Sequence, residues 1–172
     1  MNKVIIKDSV VIKNFYGIDN FDDEIIKIMS KKYKNNCSKK DGYVISVDKL
    51  VKVLSSKISS INCNLIFDVK VEMSTLLPKV NDVYTGTVCL VFEKGIFLDI
   101  DNVFKALISY ESLNKDNYTF NSIYENFTNK DKDAIYVGSV LKIRLKGVKY
   151  SKITKVNNVS KTVFNCFGDI EP

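Results

Sequence analysis

Two groups of residues in this 172-residue chain have the types and spacing to grip a flat, charged polymer. The first lies in NDVYTGTVCLVFEKGIFLDID, residues 81–101. Gly95 reads as a hairpin turn and residues 96–101 as its second strand, so side chains alternate between faces. Ile96, Leu98 and Ile100 then take the core face, and Phe97, Asp99 and Asp101 the wet one. A phenylalanine beside two carboxylates is either a single surface aromatic, which is common, or a stacking platform with Lys94 at its flank. The second group is VLKIRLKGV, residues 140–148. Leu141, Ile143 and Leu145 share one face, while Lys142, Arg144 and Lys146 share the other, forming a phosphate-sized stripe. The bland alternative is the solvated face of a Lys-rich strand. Between Ala134 and Gly168 the chain has no Asp or Glu and seven basic residues.

Other chemistry is disfavoured by what the chain lacks. It has no histidine, which removes Ser/His/Asp and Cys/His nucleophiles. Its four cysteines, Cys37, Cys63, Cys89 and Cys166, are too far apart in sequence to form a CxxC clamp. Buried thiols are therefore expected rather than a zinc site. No GxxxxGK[ST] or GxGxxG phosphate loop occurs. We expect no enzyme, no metal and no cofactor. No apolar run approaches the roughly 18 residues of a membrane span. The N-terminal MNKVIIKDSV is too short in its apolar part for a signal peptide, so an intracellular protein without a membrane partner is expected.

Two kinds of framework must position these residues. In the first 80 residues, FDDEIIKIMSKKYK (21–34) spaces Ile25, Ile28, Met29 and Tyr33 as one helical face. Its acids stand in the first turn and its lysines in the last, as the helix dipole favours. CSKKDG reads as a turn, YVISV and LVKVL as β-branched runs, and LIFDVKVEM as a strand. That strand has Phe67, Val69, Val71 and Met73 on one face, and Ile66, Asp68, Lys70 and Glu72 on the other. One helix with several strands predicts a small α+β domain over 1–80. Residues 81–172 predict strands at 83–92, 96–100 and 103–108, a polar loop, then strands near 135–148 and 150–166. Five short strands with glycine at the corners fit an OB-fold β-barrel. Such barrels stack bases on exposed aromatics while cations track the backbone.

GTVCLVFEKGIFLDIDNVFKALISYESL resembles the opening of the RNA-binding barrel first described in ribosomal protein S-one. That barrel has a Val-rich strand, an aromatic-Gly-small-aromatic turn and a Gly-Leu-[Ile/Val]-His-like stretch. The matching residues here are Lys94-Gly95-Ile96-Phe97 and Ala106-Leu107-Ile108-Ser109-Tyr110, with YVGSVLKIRL (136–145) as a later strand. Lys94 replaces the usual aromatic, Ser109 the usual histidine and Ala106 the usual glycine. The resemblance therefore implies weaker stacking and a more electrostatic grip on RNA, through Lys94, Phe97, Tyr110, Lys142, Arg144 and Lys146. Tyr110, under strict alternation, would lie on the face opposite Ser109.

The order of parts resembles more. It is similar to the larger stalk subunit of multi-subunit DNA-directed RNA polymerases: the seventh subunit of eukaryotic RNA polymerase II and its archaeal counterpart. The motifs are a helix, then Cys37 through Gly42-Tyr43-Val44, Phe67-Asp68-Val69, Pro78 at the junction, and a barrel. The barrel's inserted loop reads Asp116-Asn117-Tyr118-Thr119-Phe120-Asn121, followed by Tyr124. This resemblance implies a tip domain over 1–80 that docks on the polymerase core large subunits. It implies a barrel over 81–172 that holds nascent single-stranded RNA. In cellular enzymes a smaller stalk subunit is a further partner, and catalysis lies in other chains. The alternative from another class is a free OB-fold RNA-binding or translation-initiation-type factor. Heavy use of Lys, Asn and Ile points to an AT-rich genome, such as that of a large DNA virus or a protist. The corresponding locations are the nucleus, or a cytoplasmic viral factory and virion.

Overall fold

A computed structural model of the chain describes residues 1–13, 15–34, 36–131, 133–154 and 160–171. The chain divides into two compact units, Met1–Leu77 and Pro78–Pro172. The break falls at Pro78; a proline cannot donate to a sheet ladder and is a natural end to one. The chain is mostly β. No helix among the described residues is long and apolar enough to cross a membrane.

The N-terminal unit contains β1 (Asn2–Ile12), α1 (Phe21–Tyr33), β2 (Cys37–Ser38), β3 (Gly42–Ile58) and β4 (Leu65–Leu76). They form an antiparallel sheet in the order β1-β4-β3-β2. The Asn20 side chain caps α1 by accepting from the N–H groups of Asp22 and Asp23. Ile25 and Met29 of α1 are fully buried against Val10, Ile12, Val69, Val71 and Met73. The expected helix and the expected apolar face of β4 are thus the two halves of one core. YVISV and LVKVL, read as separate runs, belong to the single 17-residue strand β3. Its register against β4 shifts at four places between Val44 and Ser55. The residues passed over at these bulges are Ile45, Asp48, Val51 and Leu54, so Asp48, between the two apolar runs, interrupts the register without ending the strand.

The C-terminal unit contains β5 (Val83–Phe92), β6 (Gly95–Ile100), β7 (Phe104–Ser109), α2 (Tyr110–Lys115), β8 (Thr119–Asn121), β9 (Asn126–Thr128), β10 (Ala134–Ile135), β11 (Val140–Thr154) and β12 (Ser160–Ile170). Hydrogen-bonded pairs run β5-β6-β7-β12-β11 and return to β5, closing a five-stranded barrel. All pairs are antiparallel except β12 with β7. Val88, Ile96, Leu98, Ile100, Ala106, Ile108, Ile143 and Leu145 are buried. The supposed polar loop contains α2 and a small sheet, β10-β9-β8. The strand expected near 135–148 begins at Val140 and continues to Thr154. Gly147 does not end it, because the register against β12 shifts between Leu145 and Gly147 and the ladder goes on. Of the strand expected at 150–166, residues 155–159, with Lys155, lie outside the described residues; its C-terminal part is β12. Of the cysteines, Cys166 is buried, Cys37 and Cys89 are half-buried, and Cys63 is exposed, contrary to the expectation that all are buried.

Candidate nucleic-acid interface

The β5–β6 hairpin positions the first group. Phe92 pairs with Gly95 across a tight turn at Glu93 and Lys94. Gly95 has φ +149°, and a Cβ there would stand 2.2 Å from the Ile108 carbonyl oxygen. Only glycine lets β7 approach this closely. Beyond it the alternation is regular: Ile96, Leu98 and Ile100 are buried, and Phe97 and Asp99 point outward. Phe97 is half-buried rather than free, because the Phe92 ring stacks on it, with centroids 5.7 Å apart and planes 20° apart. That diagonal contact across neighbouring strands is invisible to a single-strand reading.

The carboxylates also have a local role. The strand stops at Ile100, so Asp101 lies in the turn rather than on the outer face. In the three-residue connection 101–103, Asp101 and Asn102 have φ 51° and 56°, both left-handed. Asp99 accepts the Asn102 N–H at 2.9 Å and holds that turn. Hairpin chemistry accounts for both acids without any ligand.

Lys94 is exposed on the turn, and its carbonyl accepts the Tyr110 N–H at 2.9 Å. Tyr110 is not the strand residue that alternation assumes. Strand β7 ends at Ser109, whose hydroxyl caps α2 by accepting the Ser112 N–H. Tyr110 opens α2 with its ring tilted on Phe127, centroids 6.3 Å apart. Lys94, Ser109, Tyr110 and Phe120 line an open cleft of about 770 Å³ that also holds Glu93 and Glu111. Two of the six candidate RNA-binding residues, Lys94 and Tyr110, thus meet in one cleft of mixed charge, a volume within the range of ligand sites.

Strand β11 presents the cation stripe, with Ile143 and Leu145 buried and Lys142, Arg144 and Lys146 outward. The stripe exists, but two of its cations are engaged. The Arg144 guanidinium grips Glu171 with two nitrogens, Nε donating at 2.7 Å and Nη2 to the other oxygen. The hydrogen bond from Arg144 holds the Glu171 carboxyl below its ordinary range and raises the guanidinium in return. Lys146 pairs with Asp169, which also accepts from the Ser112 hydroxyl. Lys142 alone of the three has no ion pair among the described residues. The acid-free window ends at Gly168; the antiparallel register of β11 and β12, with Arg144 opposite Asp169, brings the next acids alongside.

Sequence reasoning missed one outward aromatic, Phe167, which is 52% exposed on β12. The signal was the alternation Asn165-Cys166-Phe167-Gly168-Asp169, in which Cys166 and Gly168 face inward.

A family model described as the S1 RNA binding domain matches residues 77–161. No curated protein matches the chain. The match spans the turn at Lys94-Gly95, Phe97, the α2 cleft and the cation strand. An S1 RNA-binding domain, an OB-type fold, is present in the C-terminal unit of this chain.

Proposed function

We propose that the chain is a non-catalytic stalk subunit of a DNA-directed RNA polymerase. In this reading its C-terminal unit binds nascent single-stranded RNA and its N-terminal unit docks on the core large subunits. The observation that carries the RNA half is the S1 domain itself, which presents Lys94 and Phe97 at the β5–β6 hairpin and Lys142 outward on β11. The stalk half is supported by the order of parts, a small unit of one helix on a four-stranded sheet followed after Pro78 by the barrel. Exposed Ile45, Val51, Leu54 and Ile58 on β3 also support docking. Nucleotide addition belongs to other chains, and the protein works inside the cell wherever that polymerase transcribes. The S1 domain fits a free RNA-binding factor equally well, so that reading forms the second arm of the test.

Affinity purification of the tagged full chain from its source cells should recover polymerase large subunits, and the purified chain should bind a single-stranded oligoribonucleotide at low salt. Recovery of ribosomal components in place of polymerase would replace the stalk with the free factor. Failure to bind RNA at all would remove both.

A further inference from the structure

The barrel's outer surface carries a rung of paired positions on all five strands. Phe97 on β6 pairs with Leu90 on β5 and Leu107 on β7. Leu107 pairs with Phe167 on β12, and Phe167 with Gly147 on β11. All these positions point outward, since Leu98, Ala106, Ile108, Cys166 and Gly168 beside them are buried. A Cβ on Gly147 would lie 2.0 Å from Phe167 Cζ. The ring therefore covers the bare backbone of Gly147 on one side and faces water on the other. Lys149, two residues beyond Gly147, pairs with Asn165, two residues before Phe167, and so emerges on the same face. It is exposed and has no ion pair among the described residues, unlike Lys146 and Arg144.

We propose that Phe167 is a second base-stacking platform for single-stranded RNA, with Lys149 as the cation that meets the adjoining phosphate; this rests on the reading of the barrel as an RNA-binding surface. A half-exposed ring beside Lys149 on a five-stranded barrel has the three ingredients of sequence-tolerant binding: an aromatic face, a cation with no ion pair among the described residues and a rigid strand beneath. Phe97 and Phe167 stand two strand spacings apart, about 10 Å. Bases in a stacked strand rise only about 3.4 Å each, so the two rings hold bases splayed from one another. Leu107 forms the apolar floor between them. The matched domain ends at residue 161, before Phe167.

The test is a titration of the full-length protein with a labelled uridine oligoribonucleotide of roughly ten residues, long enough to reach both rings. Phe167→Ala should weaken binding by roughly 5- to 150-fold, the value of one stacked base. Phe167→Trp should restore it. Phe167→Leu covers Gly147 without a flat ring and should bind like the alanine variant while keeping the wild-type melting temperature. Lys149→Ala should lower the slope of log affinity against log salt by roughly 0.7. If Phe167→Ala and Phe167→Leu bind as wild type while Phe97→Ala is weakened, Phe167 merely covers Gly147 or meets a protein, and the second platform is refuted. If the wild type itself fails to bind the oligonucleotide, the RNA reading of the barrel falls first.

Discussion

At the scale of single residues, neighbours across the sheet decide what each candidate can do. Phe97 is stacked on Phe92, so part of its ring area is already committed and only its remaining surface meets a base. Truncation removes both contacts. Phe97→Ala should weaken single-stranded RNA binding by roughly 5- to 150-fold, and wild-type affinity in a titration would end the stacking reading. Arg144 presents the opposite case, since its charge is already satisfied by Glu171. Such exposed pairs are weak and cost little to break. Glu171→Gln should therefore raise RNA affinity and steepen the salt slope by up to roughly 0.7, as one more cation reaches phosphate. An unchanged slope would show that Arg144 does not lie on the RNA path. Lys142→Ala, which removes a cation with no ion pair among the described residues, should shift the slope by a similar amount in the other direction.

At the scale of elements, local pattern revealed what local forces decide. Helix α1 was legible because its period, its acidic first turn and its basic last turn all agree, and β6 because Ile96, Leu98 and Ile100 alternate cleanly. The continuity of β3 was not, because four bulges can be seen only against the β4 register. Neither were β8, β9 and β10, which are only two or three residues long and too short to show a period. The pairing of Arg144 and Lys146 depends on register between strands distant in sequence, and the same applies to Phe167 over Gly147. Cross-sheet charge has a measurable consequence in the N-terminal unit. Asp48 accepts from Lys3, Ser46 and Ser74, and the Lys3 hydrogen bond is the main reason its carboxyl falls from 3.8 to about 2. A carboxylate depressed in the folded state stabilises above its unfolded value and loses that contribution as pH falls through the folded one. The N-terminal unit should thus lose stability between about pH 4 and pH 2. Asp48→Asn should flatten this limb of an acid melt monitored on residues of the N-terminal sheet. An unaltered limb would assign the acid sensitivity to other carboxylates, such as Asp8 and Asp68.

At the scale of the whole molecule, the two units expose different chemistry. The barrel shows aromatics and cations on its outer strands. The N-terminal unit shows apolar residues along β3, including Val51 and Leu54, each 43% exposed. Strand β2 pairs only with Gly42 and Tyr43, and the Val44 N–H donates to Asn36. Beyond that point one edge of β3 has no strand partner among the described residues. An edge of this length with apolar side chains is normally shielded or occupied, since open backbone groups invite pairing with another chain. If the units divide the work as proposed, damage to one should spare the other. The double variant Val51→Lys, Leu54→Lys should abolish co-purification of polymerase large subunits while leaving oligoribonucleotide affinity within about twofold, because surface substitutions away from a site change little. Phe97→Ala in the full chain should give the mirror result, retaining the polymerase and losing RNA. Both readouts come from the same purified proteins, so a fold defect would appear as simultaneous loss in a melting curve. If Phe97→Ala loses the polymerase and keeps RNA, the barrel is the docking element and the roles of the two units are reversed.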